Sequence, residues 1–73
     1  VRNWLKDIRD KKGMTQKEFA IALHVEPSTY AGYEQGFRNP SVPAAKKIGE
    51  QLEIDWTLFF EEELRVEGKE LVG

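Results

Sequence analysis

Residues 16–35 read QKEFAIALHVEPSTYAGYEQ, and the interpretation of this stretch decides the fold. It opens on a capping box, Thr15-Gln16-Lys17-Glu18, in which Thr15 accepts from the Glu18 N–H and Glu18 reaches back to the Thr15 backbone. Met14 and Phe19 flank the cap at the hydrophobic-staple positions. Phe19, Ala20 and Leu23 make an apolar face at helical spacing, so a short helix is expected to stop near Leu23-His24. A second helix is expected from Pro27, whose missing N–H is no loss in a first turn, to a stop at Gly36. Tyr30 and Tyr33 face inward from it and read as core rather than as stacking platforms. Two short helices meeting steeply through so tight a turn need small, bent or apolar residues at set positions. Ala20 is small where the partner helix must approach, His24 falls at the turn, and Val25 plugs the gap beneath it. Glu26, Ser28, Thr29, Ala31 and Gly32 are polar or small, which leaves one face of the second helix free.

The flanks supply three more helices. The first is expected over about Asn3–Lys12, with Leu5 and Ile8 on one face, Trp4 beside them, and Gly13 ending it after the basic turn Lys11-Lys12. Phe37-Arg38-Asn39-Pro40 forms a loop, because Pro40 bars helix just before itself. Ser41 caps a fourth helix with Pro43 in its first turn and Val42, Ala45, Ile48, Gly49 and Leu52 as its buried stripe. Gly49 costs about 1 kcal/mol of helix propensity against alanine, so a close contact is expected there. Asp55 caps a fifth helix carrying Trp56, Leu58, Phe59 and Phe60. Leu64-Arg65-Val66-Glu67 fits either a helical extension or a strand. The expected plan is one domain over residues 1–63 and a short C-terminal extension over 64–73.

Seventy-three residues without cysteine exclude disulfides and thiolate metal sites, so packing alone must hold the core. No apolar run approaches the roughly 18 residues of a membrane span, no signal segment is read at the start, and a cytoplasmic setting is expected. The net charge of −2 is unevenly spread. Residues 1–49 carry nine Lys/Arg against five Asp/Glu, whereas residues 50–73 carry two against eight. A polyanion would therefore meet the first two-thirds and avoid the tail. Catalysis is not expected. His24 stands alone, so neither a nucleophile–histidine pair nor a metal site can be assembled around it. The dispersed glycines make no phosphate loop, and Glu61-Glu62-Glu63 lacks the spacing of a calcium loop. No cofactor and no small-molecule site are expected.

Several separate motifs give the chain a family likeness. Leu5-Lys6-Asp7-Ile8-Arg9, Gly13-Met14-Thr15-Gln16-Lys17-Glu18-Phe19-Ala20, Tyr33-Glu34-Gln35-Gly36 and Arg38-Asn39-Pro40-Ser41 together resemble the phage lambda repressor/Cro-like, xenobiotic-response-element type of helix-turn-helix, over about residues 3–60. The resemblance implies an all-α, compact five-helix bundle that binds duplex DNA and regulates transcription, most simply as a repressor. Helix three would dock in the major groove. It implies that Gln16 grips a phosphate at the start of helix two, supported by Thr15 and Lys17. Arg38 and Asn39 match the loop that touches the backbone across the groove. Arg9 and Glu34 match an ion pair tying helix one to helix three. Glu26, Pro27, Ser28, Ala31 and Gly32 occupy the base-reading face.

The sequence departs from the family at that face. Ser28 can donate or accept and Ala31 can meet a thymine methyl, but neither supplies a bidentate grip, so shape and phosphate placement are expected to carry much of the specificity. His24 stands where glycine is usual, and histidine tolerates positive φ better than bulkier residues. One recognition helix covers few base pairs, so a homodimer on two half-sites is expected, with Trp56, Leu58 and Phe60 as its candidate interface, joined by Leu64 and Val66. Trp56 and Phe60 fit the monomer's own core equally well. The alternative reading is a protein-interaction module on the same fold, favoured by the missing base grips and the net acidity.

Overall fold

The computed structural model describes residues 1–61, and every described element is helical. The α-helices are α1 (Asn3–Lys11), α2 (Gln16–Ala22), α3 (Pro27–Gln35) and α4 (Val42–Leu52), followed by a 3-10 helix over Trp56–Phe60. The chain divides into two units, Val1–Asn39 with α1 to α3, and the part from Pro40 onward with α4 and the 3-10 helix. The sequence expectation of five α-helices is thus corrected to four and one 3-10 turn. The proposed extension, Leu64 and Val66 lie outside the described residues.

Each α-helix stops through the same backbone device. After α1, α2, α3 and α4 the chain turns left-handed at Gly13 (φ 67°), His24 (φ 59°), Gly36 (φ 88°) and Glu53 (φ 56°). The next residue's N–H then reaches back five positions: Met14 to Arg9, Val25 to Ala20, Phe37 to Gly32 and Ile54 to Gly49. These are Schellman closures, which satisfy carbonyls that a helix end would leave bare. Glycine adopts the turn freely at two positions, while His24 and Glu53 adopt it against their side chains. The starts are set by side chains. Thr15 and Glu18 form the full capping box of α2, with bonds of 3.1 and 2.9 Å. Ser41 caps α4 through the Ala44 N–H at 3.3 Å, and α3 starts on Pro27 without a side-chain cap.

In the first unit the buried side chains are Leu5 from α1, Phe19 and Ala20 from α2, Leu23 from its C-cap, and Tyr30 and Tyr33 from α3. Phe19 meets Tyr30 edge-on, with ring centroids 5.4 Å apart. Burying one such side chain contributes about 1.5–3 kcal/mol, and the edge-on pairing adds about 1.

In the second unit α4 buries Ala45, Ile48 and Gly49, and the 3-10 helix buries Phe59. Val42, expected in the stripe, is 46 % exposed. It is the first helical residue and lies at the margin of the arc that the other three share. Gly49 is tightly covered: a Cβ there would stand 2.9 Å from Trp56 Cβ and 3.0 Å from the Ile54 carbonyl oxygen. The 3-10 helix is capped and starts on a three-residue closure. Asp55 Oδ1 accepts from both the N–H and the hydroxyl of Thr57, at 3.0 and 2.7 Å, and the Leu58 N–H returns to the Asp55 carbonyl after three residues.

Candidate nucleic-acid interface

A buried carboxylate holds the first unit in register. Glu34, in the last turn of α3, is only 2 % exposed. Its Oε2 accepts from Arg9 Nε at 2.9 Å and from the Tyr30 hydroxyl at 2.7 Å. Its Oε1 accepts from Arg9 at 3.0 Å and from Gln16 Nε2 at 3.1 Å. The same guanidinium donates to the Met14 carbonyl at 2.8 Å and lies 3.7 Å from Asp10. Glu34 therefore ties α1, the first residue of α2 and α3 together, and its partner Arg9 adds the segment before α2. Burial pushes the Glu34 carboxyl upward, but the hydrogen bonds from Arg9, Tyr30 and Gln16 outweigh it and hold the pKa at about 2. Burial, then the bond to Glu34, push the Tyr30 phenol up. The bond to Glu34 raises the Arg9 guanidinium further, against the effect of its burial.

At the start of α2, Thr15 spends its side-chain oxygen on the Glu18 N–H, and hydrogen bonding to Thr15 lowers the Glu18 carboxyl. Gln16 is half-buried and oriented by Glu34, which takes one of its two amide hydrogens and leaves the other. Lys17 is exposed. These three candidate phosphate contacts are adjacent, and Gln16 belongs to the buried network as well as to the surface.

Across α3 the other candidates separate by face. Turning by about 100° per residue, the helix sets Ser28, Gly32 and Gln35 opposite the buried Tyr30, Tyr33 and Glu34. Glu26 and Ser28 are exposed, while Pro27, Ala31 and Gly32 are half-buried. Gln35 was missed in the sequence reading, although its distance of seven residues from Ser28 places it on the same face.

The loop after α3 is organised by Arg2, a residue the sequence reading did not single out. Arg2 donates through its guanidinium to the carbonyls of Tyr33 and Arg38 and to Asn39 Oδ1, and its own N–H donates to the Glu34 carbonyl at 2.7 Å. No local signal could have revealed it, since its partners lie more than thirty residues downstream. Arg38 and Asn39 are exposed, and Phe37 beside them is 86 % exposed.

In the second unit, Trp56, Leu58 and Phe60 are each half-buried. Trp56 packs edge-on to Phe60 with centroids 6.2 Å apart, carries Lys46 Nζ over its ring at 5.3 Å, and abuts Gly49. Trp56 and Phe60 thus have packing partners inside their own unit. No described helix is long and apolar enough to cross a membrane.

Comparison with known proteins identifies the family. A helix-turn-helix family model matches residues 5–59. The chain is 50 % identical over 62 residues to an uncharacterized HTH-type transcriptional regulator, YqaF, of Bacillus subtilis (strain 168), covering 85 % of this chain and 82 % of that protein. It is 39 % identical over 46 residues to the HTH-type transcriptional regulator AnsR of the same organism, covering 63 % of this chain and 40 % of that one. No solved structure matches. With the capping box, the left-handed turn at His24 and the buried Glu34 in place, the chain belongs to the lambda repressor/Cro-like, XRE-type helix-turn-helix family of DNA-binding transcriptional regulators.

Proposed function

We propose that this protein is a sequence-specific transcriptional repressor that docks α3 in the major groove of duplex DNA as a homodimer. The observation that carries the reading is the Glu34 network. It fixes α3 against α1 and the start of α2, and so holds a face of short side chains, Ser28, Ala31 and Gly32, beside two polar anchors. In this reading Thr15, Gln16 and Lys17 hold a phosphate on one strand. The loop of Arg38 and Asn39 faces the opposite strand, with Glu26 and Pro27 at the mouth of the groove. Trp56, Leu58 and Phe60 meet a second copy through the surface that their own unit leaves uncovered.

The test is selection from a random duplex pool at two salt concentrations, with sedimentation of the Leu58→Glu variant. A palindrome with half-sites about one helical turn apart, and a shift of the variant toward monomer, are the expected results. No duplex retained at low salt would replace the reading with a protein-interaction module, for which exposed Phe37 is the favouring feature.

A further inference from the structure

Gly32 lies at the middle of the outward face of α3, where a side chain would leave the helix most freely. That space is already taken. A Cβ on Gly32 would stand 3.0 Å from Arg38 Cδ, 3.1 Å from its Cγ and 3.4 Å from its Cβ. The Gly32 carbonyl accepts the Arg38 N–H at 3.2 Å, beside those of Gly36 and Phe37 at 3.0 Å each. From the other side, Arg2 donates to the Arg38 carbonyl at 3.3 Å. The stem of Arg38 is therefore laid across the outward face of α3, with its backbone pinned at both ends of the residue. Its guanidinium has no hydrogen-bond or ion-pair partner among the described residues.

We propose that Arg38 is the principal base-reading side chain of this domain, delivered from the loop across the notch left by Gly32. The proposal rests on α3 entering the major groove, and it goes beyond that reading by assigning specificity to a residue outside the helix. Ser28 and Ala31 are too short for a bidentate grip, and the amide of Gln35 on the same face suits adenine, whereas a guanidinium matches O6 and N7 of guanine together. An arginine that only neutralised a phosphate would need no bare helix beneath its stem. Gly32 is then a positioning residue: its lack of a side chain makes the route across α3.

Selection from a random duplex pool with the full chain tests this, comparing the wild type with Arg38→Ala and Gly32→Leu. The wild type is expected to enrich a motif with one strongly preferred G·C pair in each half-site. In Arg38→Ala that preference falls from about 10-fold or more to near none, while the other positions persist. Gly32→Leu fills the notch and loses the same preference. Leucine favours helix over glycine, so thermal unfolding of this variant reports whether the fold is intact. If Arg38→Ala weakens every sequence alike and leaves the motif unchanged, the docking stands and the base-reading role is overturned. Wild-type retention without any enriched motif overturns it too, because no base is then read. Wild type that retains no duplex at low salt removes the docking itself, and the inference with it.

Discussion

Arg9 and Glu34, twenty-five residues apart, meet through two hydrogen bonds of 2.9 and 3.0 Å, one to each carboxylate oxygen, with the carboxylate almost wholly shielded from water. A buried ion pair of this kind adds little beyond what a well-packed apolar pair would give, but neither partner can be removed alone. Glu34 without Arg9 is a charge held in a poorly polarisable surrounding.

Arg9→Met is therefore expected to destabilise the fold by about 3–5 kcal/mol, a large share of the stability of a small domain. Urea titration followed by far-UV circular dichroism measures it. A loss under about 1 kcal/mol would show that Tyr30 and Gln16 suffice to hold the carboxylate.

Acid should unfold the protein through the same residue. The folded-state pKa of Glu34, about 2, lies below its ordinary value of 4.5. Its contribution is thus complete above about pH 5 and is lost as pH falls toward 2, on the order of 3 kcal/mol in all. Tyr30→Phe removes one donor to the carboxylate, so its acid transition should move to higher pH. Urea midpoints at pH 7, 5, 4 and 3 decide the matter. Midpoints that stay level from pH 5 to 3 would mean the carboxylate gains nothing from its partners.

The four left-handed helix ends predict opposite responses to glycine and alanine. His24→Gly and Glu53→Gly relieve backbone strain and are expected to raise stability by about 0.5–1 kcal/mol each. Gly36→Ala should lower it by about 1 kcal/mol, although an added Cβ would meet nothing within 4 Å. Thermal midpoints of the three variants test the assignment. A neutral His24→Gly would imply that the imidazole supplies a compensating contact.

Gly49→Ala sets propensity against space. Alanine gains about 1 kcal/mol in a helix interior, yet its Cβ would stand at 2.9 Å from Trp56 Cβ and 3.0 Å from the Ile54 carbonyl oxygen. The clash should win, with a net loss of about 1–3 kcal/mol. A rise in the thermal midpoint would show that the Trp56 segment yields easily.

Helix positions in this chain are legible because their signals are local. The capping box at Thr15 and Glu18, proline at the head of α3 and glycine at the foot of α1 and α3 each act within a few residues. The close approach at Gly49 was readable for the same reason, as a costly residue inside a helix. The 3-10 winding after Asp55 was not, because the periodicity of five residues cannot separate it from an α-helix. Val42 shows a related limit: its apolar character fits the buried stripe, but the angle at which the chain enters α4 sets its exposure. Within the candidate site, Arg9 and Glu34 came from family likeness. The roles of Arg2 and the Tyr30 hydroxyl follow only from three-dimensional proximity, which no spacing rule encodes.

The repeated backbone closure also bears on how such a domain can diversify. Where each helix stops is settled by main-chain bonds and by the residues at 13, 24, 36 and 53, two of which are not even glycine. Residues that look outward from α3 take no part in those closures through their side chains. Substitutions there can accumulate without shifting the frame. If α3 reads DNA as proposed, a new sequence preference is then within reach of a few surface mutations, with the helix ends that present them left as they are.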